Sequence, residues 1–439
     1  MPKTAGKNAE RIRVGRNIAM AGGISVSMRA LTLFFRFILS FYIIRYLGLE
    51  AAGVYGLAAG AVGIAPAVIG LGLNYFTGRE VVGQTPDQAA PLVKTRLTVT
   101  ISSLAVSTVG WAIFTGVTGT TLHPISFLIL ALVWLETIAL DIYMPLIGLE
   151  LATQANVVVF VRSALWVPFV MVAGVIWPAL RSVELIFVAW IVSHIFSLGL
   201  LAFFLRRWPV LHALRTPIDR EWIRRRLRHS WHIYLSDLGL VGLIFIDRYI
   251  VNGLLGLKAT GIYVFYWSIA NALQTLMQTA VVQLALPKML KAYREPTLDH
   301  WQALYRREML KTIVLALGLS VAIFAMVELI VSFDASHHFP REIALLVLML
   351  AASVIRAGSD FMNICITSCG RDRYYAFTNF AGVFVTIACS FGFITMFGLI
   401  GCGLSALTTA AVLAATRYVY LRATIRTDTA ARLNGAAAA

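Results

Sequence analysis

The chain has 439 residues, of which 59% are hydrophobic and only 13% charged, and its mean hydropathy is +0.79. A water-soluble chain of this size carries about a quarter of its residues as charges, so this one must use lipid as the solvent for most of its surface. The formal net charge of +16 does not point to nucleic acid: no segment has room for a soluble basic module, and Lys and Arg gathered on cytoplasmic loops generate such a balance.

The apolar runs are continuous and about 20 residues long, which makes them helices rather than the alternating strands of a barrel. Residues 1–16 are basic, but the apolar stretch behind them is too long for a signal peptide and shows no cleavage site, so the first span is expected to stay. Spans are expected at 17–45, 51–76, 97–119, 124–148, 152–177 and 183–205, then at 231–255, 260–287, 312–333, 342–368, 374–397 and 399–421. This is an all-α integral membrane protein of about 12 transmembrane helices. It divides into an N-terminal six-helix half (1–205), a basic linker (206–230) and a C-terminal six-helix half (231–439).

Only the connections 78–96, 206–230 and 288–311 are long. Together with both tails and the 371–373 turn they hold roughly 28 of the 37 Lys and Arg residues, all on one side. That asymmetry puts both termini in the cytoplasm. Within the central linker, the stretch from Thr216 to Trp231 reads either as a solvated topogenic loop or as a short helix on the membrane surface. In the second case Trp222, Ile223, Leu227 and Trp231 face inward and the arginines meet anionic lipids.

The two halves look duplicated. Leu47-Gly-Leu-Glu-Ala-Ala-Gly-Val-Tyr55 and Leu255-Gly-Leu-Lys-Ala-Thr-Gly-Ile-Tyr263 agree at six of nine positions, each at the turn after the first span of its half. Parallel repeats of this kind are one architecture of alternating-access transporters.

A charge at the centre of a membrane helix costs about 2.5–3.5 kcal/mol on insertion scales, so charges there mark sites. Arg29, Arg36, Arg162, Arg248 and Arg356 fall inside predicted spans, as do Glu136, Asp141, Asp237, Asp247 and Asp360. Arg356 and Asp360, at i,i+4, are expected to pair. Glu136 and Asp141 are candidates to serve Arg162, and Asp237 is read as reaching interfacial water. Arg29 and Arg36 share one face of a helix with no acid of its own, so that face must line protein or a watery cavity. An arginine fork suits a phosphate-bearing substrate there, although acids of other helices could equally satisfy them. Span two carries Gly56, Gly60, Gly63 and Pro66, which allow either bending or close packing, with Gly60, Gly63 and Pro66 the candidate hinge. Cys365, Cys369, Cys389 and Cys402 all lie in apolar segments and read as small buried hydrophobes.

The segments Arg45-Tyr-Leu-Gly-Leu-Glu-Ala-Ala-Gly-Val-Tyr-Gly56 and Ile69-Gly-Leu-Gly-Leu-Asn-Tyr-Phe-Thr-Gly-Arg-Glu80 resemble the opening spans of polysaccharide flippases. So do Asp247 to Tyr263, Pro287 and Gly370-Arg-Asp-Arg373. These flippases belong to the multidrug/oligosaccharidyl-lipid/polysaccharide exporter superfamily. The resemblance implies two six-helix lobes around a central cavity that opens alternately to either face. It further implies a cargo glycan on undecaprenyl diphosphate, flipped from the cytoplasmic to the periplasmic leaflet of the bacterial inner membrane for cell-surface polysaccharide such as lipopolysaccharide O-antigen. Arg29, Arg36, Arg162 and Arg248 are then candidates to line the cavity and bind the diphosphate, the first two placing it in the first half. Asp141, Asp247, Arg356 and Asp360 are candidates for coupling or ion pairing. The expected partners are the lipid-linked oligosaccharide, anionic membrane lipids and other polysaccharide assembly proteins, with no nucleic acid, cofactor or metal.

Two rivals stand beside this reading. A drug or cation exporter of the same superfamily would use Asp141 or Asp360 as its cation site. A membrane polymerase or ligase would need a large outward loop with catalytic groups. The longest one here, Phe333 to Arg341, offers only His337 and His338, and the chain has no nucleotide or nucleophile motif, so an enzyme is not expected.

Overall fold

The structure, a computed structural model, describes residues 27–437 except 29, 120, 122, 207 and 334–338. The chain begins with α1 (Ala30–Leu47), α2 (Leu49–Gly70), α3 (Leu73–Glu80), α4 (Pro86–Thr118) and α5 (Pro124–Gly148). Next come α6 (Ala152–Phe160), a π turn (Val161–Leu165), α7 (Trp166–Ile176), α8 (Val183–Phe204), α9 (Val210–Arg215) and α10 (Arg220–Met277). A second π turn (Gln278–Val282) leads to α11 (Gln283–Tyr293), α12 (Asp299–Ser332), α13 (Ile343–Ser368), α14 (Asp372–Phe397) and α15 (Leu399–Ala437).

Among the described residues, 11 helices are long and apolar enough to cross a membrane. One of them counts twice. At 58 residues, α10 would run about 87 Å at 1.5 Å per residue, against a hydrocarbon core of about 30 Å. It is interrupted at Gly256, with φ 80° and ψ −178°, between the predicted spans 231–255 and 260–287. The layout of about twelve spans therefore holds.

Two boundaries differ from the sequence expectation for local reasons. Span two ends early because Leu71 (φ 52°) and Gly72 (φ 68°) take left-handed backbone, and a separate short helix follows. The supposed loop 78–96 ends at Pro86: Thr85 and Gln88 form a reciprocal capping box, with Pro86 at the first helical position. Arg96, assigned to that loop, thus stands inside α4.

The chain forms two compact units, residues 1–39 with 65–231, and residues 40–64 with 232–439. In the first, Trp166 stacks on Trp190 at 6.1 Å, and Leu146, Ala155, Val158 and Leu201 join α5, α6 and α8. The basic linker belongs to this unit and corrects the surface-helix expectation. Its residues from Arg220 onward are the start of α10 itself, and Trp222 is only 4% exposed. Trp222 Nε1 donates to Glu80 at 2.6 Å and Arg226 pairs with the same carboxylate, so that side chain turns to α3 and not to lipid. Lys94 donates to the carbonyls of Leu214 and Thr216, closing the end of α9.

In the second unit α13 is packed between α12 and α15. Trp301, Tyr305 and Phe361 stack in sequence at 5.7 and 6.0 Å beside buried Cys365 and Cys369. The far end of α15 is tied down by Arg432, which donates to the carbonyls of Tyr293 and Glu295, and by Asp428, which accepts from the Tyr293 hydroxyl at 2.5 Å. Burial and that carboxylate push the Tyr293 hydroxyl above its ordinary range, so it stays a donor at physiological pH.

Candidate functional site

In the first unit the membrane charges are assembled into two closed clusters. Arg96 and Asp141 form an ion pair at 2.8 Å with side chains 0% and 1% exposed. Thr100 donates to the same carboxylate, and Arg96 also donates to Asn74 at 3.2 Å. Asp141 therefore serves Arg96 and not Arg162. The second cluster is Arg162, Glu136 and His194: Glu136 pairs with Arg162, and His194 Nε2 lies 2.8 Å from the same carboxylate oxygen. His194 Nδ1 faces the Trp190 carbonyl at 3.0 Å, so both ring nitrogens meet oxygen.

Arg162 sits in the π turn Val161–Leu165, whose wide winding leaves carbonyls for outside donors. Ser193 donates to the Val161 carbonyl at 2.6 Å, and Arg36 Nε donates to the Ser163 carbonyl at 3.3 Å. Arg36 thus has a protein partner although its helix carries no acid. Arg29 lies outside the described residues, as do His337 and His338.

In the second unit Arg248 is sealed. It is 2% exposed, donates to the Gly56 carbonyl at 2.7 Å, and lies over Trp267 and Phe245 at 4.4 and 4.8 Å. Rings and a carbonyl stand in for a carboxylate here, a desolvated cation–π arrangement worth about 2 kcal/mol. Gly60 makes room for it: a Cβ there would lie 2.8 Å from Arg248 Cδ, while one at Gly63 would lie 2.6 Å from the Phe245 ring. Helix α2 continues through Pro66, and the chain passes from one unit to the other between residues 64 and 65.

The same unit holds a cavity of about 420 Å³ with Asp247, Arg356, Asp360 and Arg417 in its wall. The expected Arg356–Asp360 pair is not formed. Asp360 accepts from Arg417 at 3.2 Å and from Gln274 at 2.5 Å, and Arg417 also donates to Ser359 and Asn379, each at 2.7 Å. Asp247 accepts from Ser390 at 3.0 Å and Tyr263 at 3.3 Å. Arg356, half-buried, makes no hydrogen bond or ion pair among the described residues and feels Asp247 only through space. Gln274 Oε1, Asn363 Oδ1, Asn379 Nδ2 and Thr409 Oγ1 are buried in this wall without a partner among the described residues.

Arg96, His194, Gln274 and Arg417 were missed by sequence reasoning. Arg96 and Arg417 carried a signal, each lying within a turn or so of a span edge: Arg96 ends the connection 78–96, and Arg417 falls four residues inside the end of the span expected at 399–421. His194 and Gln274 carried none.

The fold is that of multi-pass helical transporters. The chain is similar to the inward-facing conformation of a multidrug resistance MATE family transporter of the MOP superfamily, with TM-score 0.72, 15% identity, and 92% of this chain and 98% of that one covered. It is also similar to the outward-facing conformation of such a transporter (TM-score 0.56, 14% identity, 92% and 93% covered). A third likeness is to MATE in complex with MaL6 (TM-score 0.59, 15% identity, 93% and 96% covered). No curated protein sequence matches the chain. The family described as polysaccharide biosynthesis protein matches residues 20–292, and the chain belongs to that family.

Proposed function

We propose that this protein is a flippase that carries an undecaprenyl-diphosphate-linked oligosaccharide from the cytoplasmic to the periplasmic leaflet of the bacterial inner membrane. It works by alternating access, with both termini cytoplasmic, and serves cell-surface polysaccharide assembly. Family membership supports the glycan. The observation that carries the chemistry is Arg356, a permanently charged fork on the wall of a membrane cavity, with no direct partner among the described residues. A phosphate oxygen is its natural counter-ion. The amide and hydroxyl groups of Gln274, Asn363, Asn379 and Thr409 around it suit sugar hydroxyls. Arg29 and Arg36 remain proposed contacts for the diphosphate on its route. Gly63 and Pro66 bracket the point where α2 passes between the units, which supports bending there.

The test is lipid-linked oligosaccharide flipping in proteoliposomes. Arg356→Ala is expected to lose most of it while Arg356→Lys keeps part; full activity of Arg356→Ala sinks the reading. A second reading, a cation or drug exporter, is favoured by Asp247, a membrane carboxylate held by two hydroxyls and no direct cation. In that case Asp247→Asn would abolish cation efflux and Arg356→Ala would spare it.

A further inference from the structure

We propose that the groove between α12 and α15 is a binding site for an anionic phospholipid, held by its phosphate. The groove measures about 670 Å³. Trp301, Tyr305 and Arg306 line it from α12, and Tyr418, Arg422 and Arg426 from α15; no acidic side chain is in its wall. On α15 the spacing is i,i+4, and on α12 Trp301 with Tyr305 and Gln302 with Arg306 are i,i+4 pairs on adjacent rows, so each helix turns these side chains to one face.

Arg306, Arg422 and Arg426 are exposed, and none makes a hydrogen bond or ion pair among the described residues. Three permanent cations converging on one groove repel one another unless an anion sits among them. The floor is rigid and aromatic. Trp301 is 1% exposed, donates to Ser368 Oγ at 3.2 Å, and lies parallel to Tyr305 at 5.7 Å.

The groove's level on the helices selects a lipid over a free anion. The long apolar run of α12 begins after Lys311, and that of α15 ends before Arg417, so the three arginines stand just beyond the hydrocarbon. Aromatic rings with arginines at that level match a headgroup region. This inference is independent of the proposed cargo and of the cavity beside Arg356.

The test uses the purified full-length protein in detergent, titrated with phosphatidylglycerol or phosphatidylcholine carrying brominated acyl chains, with tryptophan fluorescence as the readout. Phosphatidylglycerol is expected to quench at about tenfold lower concentration than phosphatidylcholine. The preference should disappear in R306Q/R422Q/R426Q, persist in R306K/R422K/R426K, and lose its quenched component in W301F. Equal quenching by the two lipids overturns the proposal, and so does a preference that survives the triple glutamine change. Displacement of the lipid by inorganic phosphate at matching concentration would also overturn it, because the groove would then be a free-anion site. Should the triple variant elute as aggregate, R422Q and R426Q are read singly, and each must weaken the preference.

Discussion

Gly53 and Gly261 hold the same place in the two copies of the Leu-Gly-Leu-x-Ala-x-Gly-x-Tyr turn, and each presses on a backbone carbonyl of the other copy. A Cβ on Gly53 would lie 2.4 Å from the Leu257 oxygen, and one on Gly261 would lie 1.9 Å from the Leu49 oxygen. Leu49 and Leu257 are themselves equivalent, so the contact is self-complementary in the manner of a two-fold interface. The second residues of the copies, Gly48 and Gly256, both take positive φ, 93° and 80°. The repeat is thus a docking element as well as a turn, and it explains why residues 40–64 belong to the unit of residues 232–439.

Gly261→Ala should therefore destabilise the protein by at least about 2 kcal/mol, since a backbone atom cannot swing aside as a side chain can. Gly253→Ala is the control: a Cβ there meets nothing within 4 Å, so the change should be neutral or gain up to about 1 kcal/mol. Thermal unfolding in detergent distinguishes the two, and equal melting temperatures would refute the docking role.

Asp141→Asn leaves Arg96 buried without its counter-charge. The expected cost is about 3–5 kcal/mol, visible as lost membrane expression and a lower unfolding midpoint. The double change Arg96→Met with Asp141→Leu should recover most of that loss, because it removes both desolvated charges. A double variant as unstable as the single one would assign the pair a role beyond mutual neutralisation.

Arg356 and Arg417 should respond in opposite ways, though both line the same cavity. Arg417, with its side chain 3% exposed and bonded to Ser359, Asp360 and Asn379, holds α13, α14 and α15 together. Arg417→Ala should lower stability by about 3 kcal/mol or more. Arg356→Ala should leave the unfolding midpoint within about 0.5 kcal/mol of the parent and reduce flipping. Parallel measurement of melting and transport separates them.

Glu80→Ala strips the partner from both the Trp222 indole and the Arg226 guanidinium. The buried indole nitrogen makes this cost about 1–3 kcal/mol, and the start of α10 should gain hydrogen–deuterium exchange ahead of the rest of the protein. Trp222→Phe, which removes the donor as well, should cost less. The reverse order would mean that ring packing, and not the hydrogen bond, holds the segment.

Span positions were legible because lipid enforces them: about 20 apolar residues in a row, every backbone group bonded within its own helix, and basic residues gathered in the long connections. The repeat was legible because the same backbone problem, a positive-φ turn followed by a close helix approach, is solved twice with glycine. Of the two readings of the Thr216–Trp231 stretch, the one that turns Trp222 to lipid fails because an amphipathic stretch presents the same pattern whether its apolar side faces lipid or another helix.

The amino-acid order by itself thus determined the solvent, the helices and their sequence along the chain, and the two glycine turns, since each depends on residues within one span of each other. Only the tertiary structure decided which charges neutralise which. Of the two acids considered for Arg162, Glu136 takes it together with His194, Asp141 meets Arg96 instead, and Asp360 takes Arg417 in place of its helical neighbour Arg356. A buried carboxylate joins whichever donor the folded helices bring within about 3 Å, and no spacing rule along one helix predicts a partner on another. The cation left facing the cavity is therefore Arg356, in the half of the chain opposite to the one that carries Arg29 and Arg36.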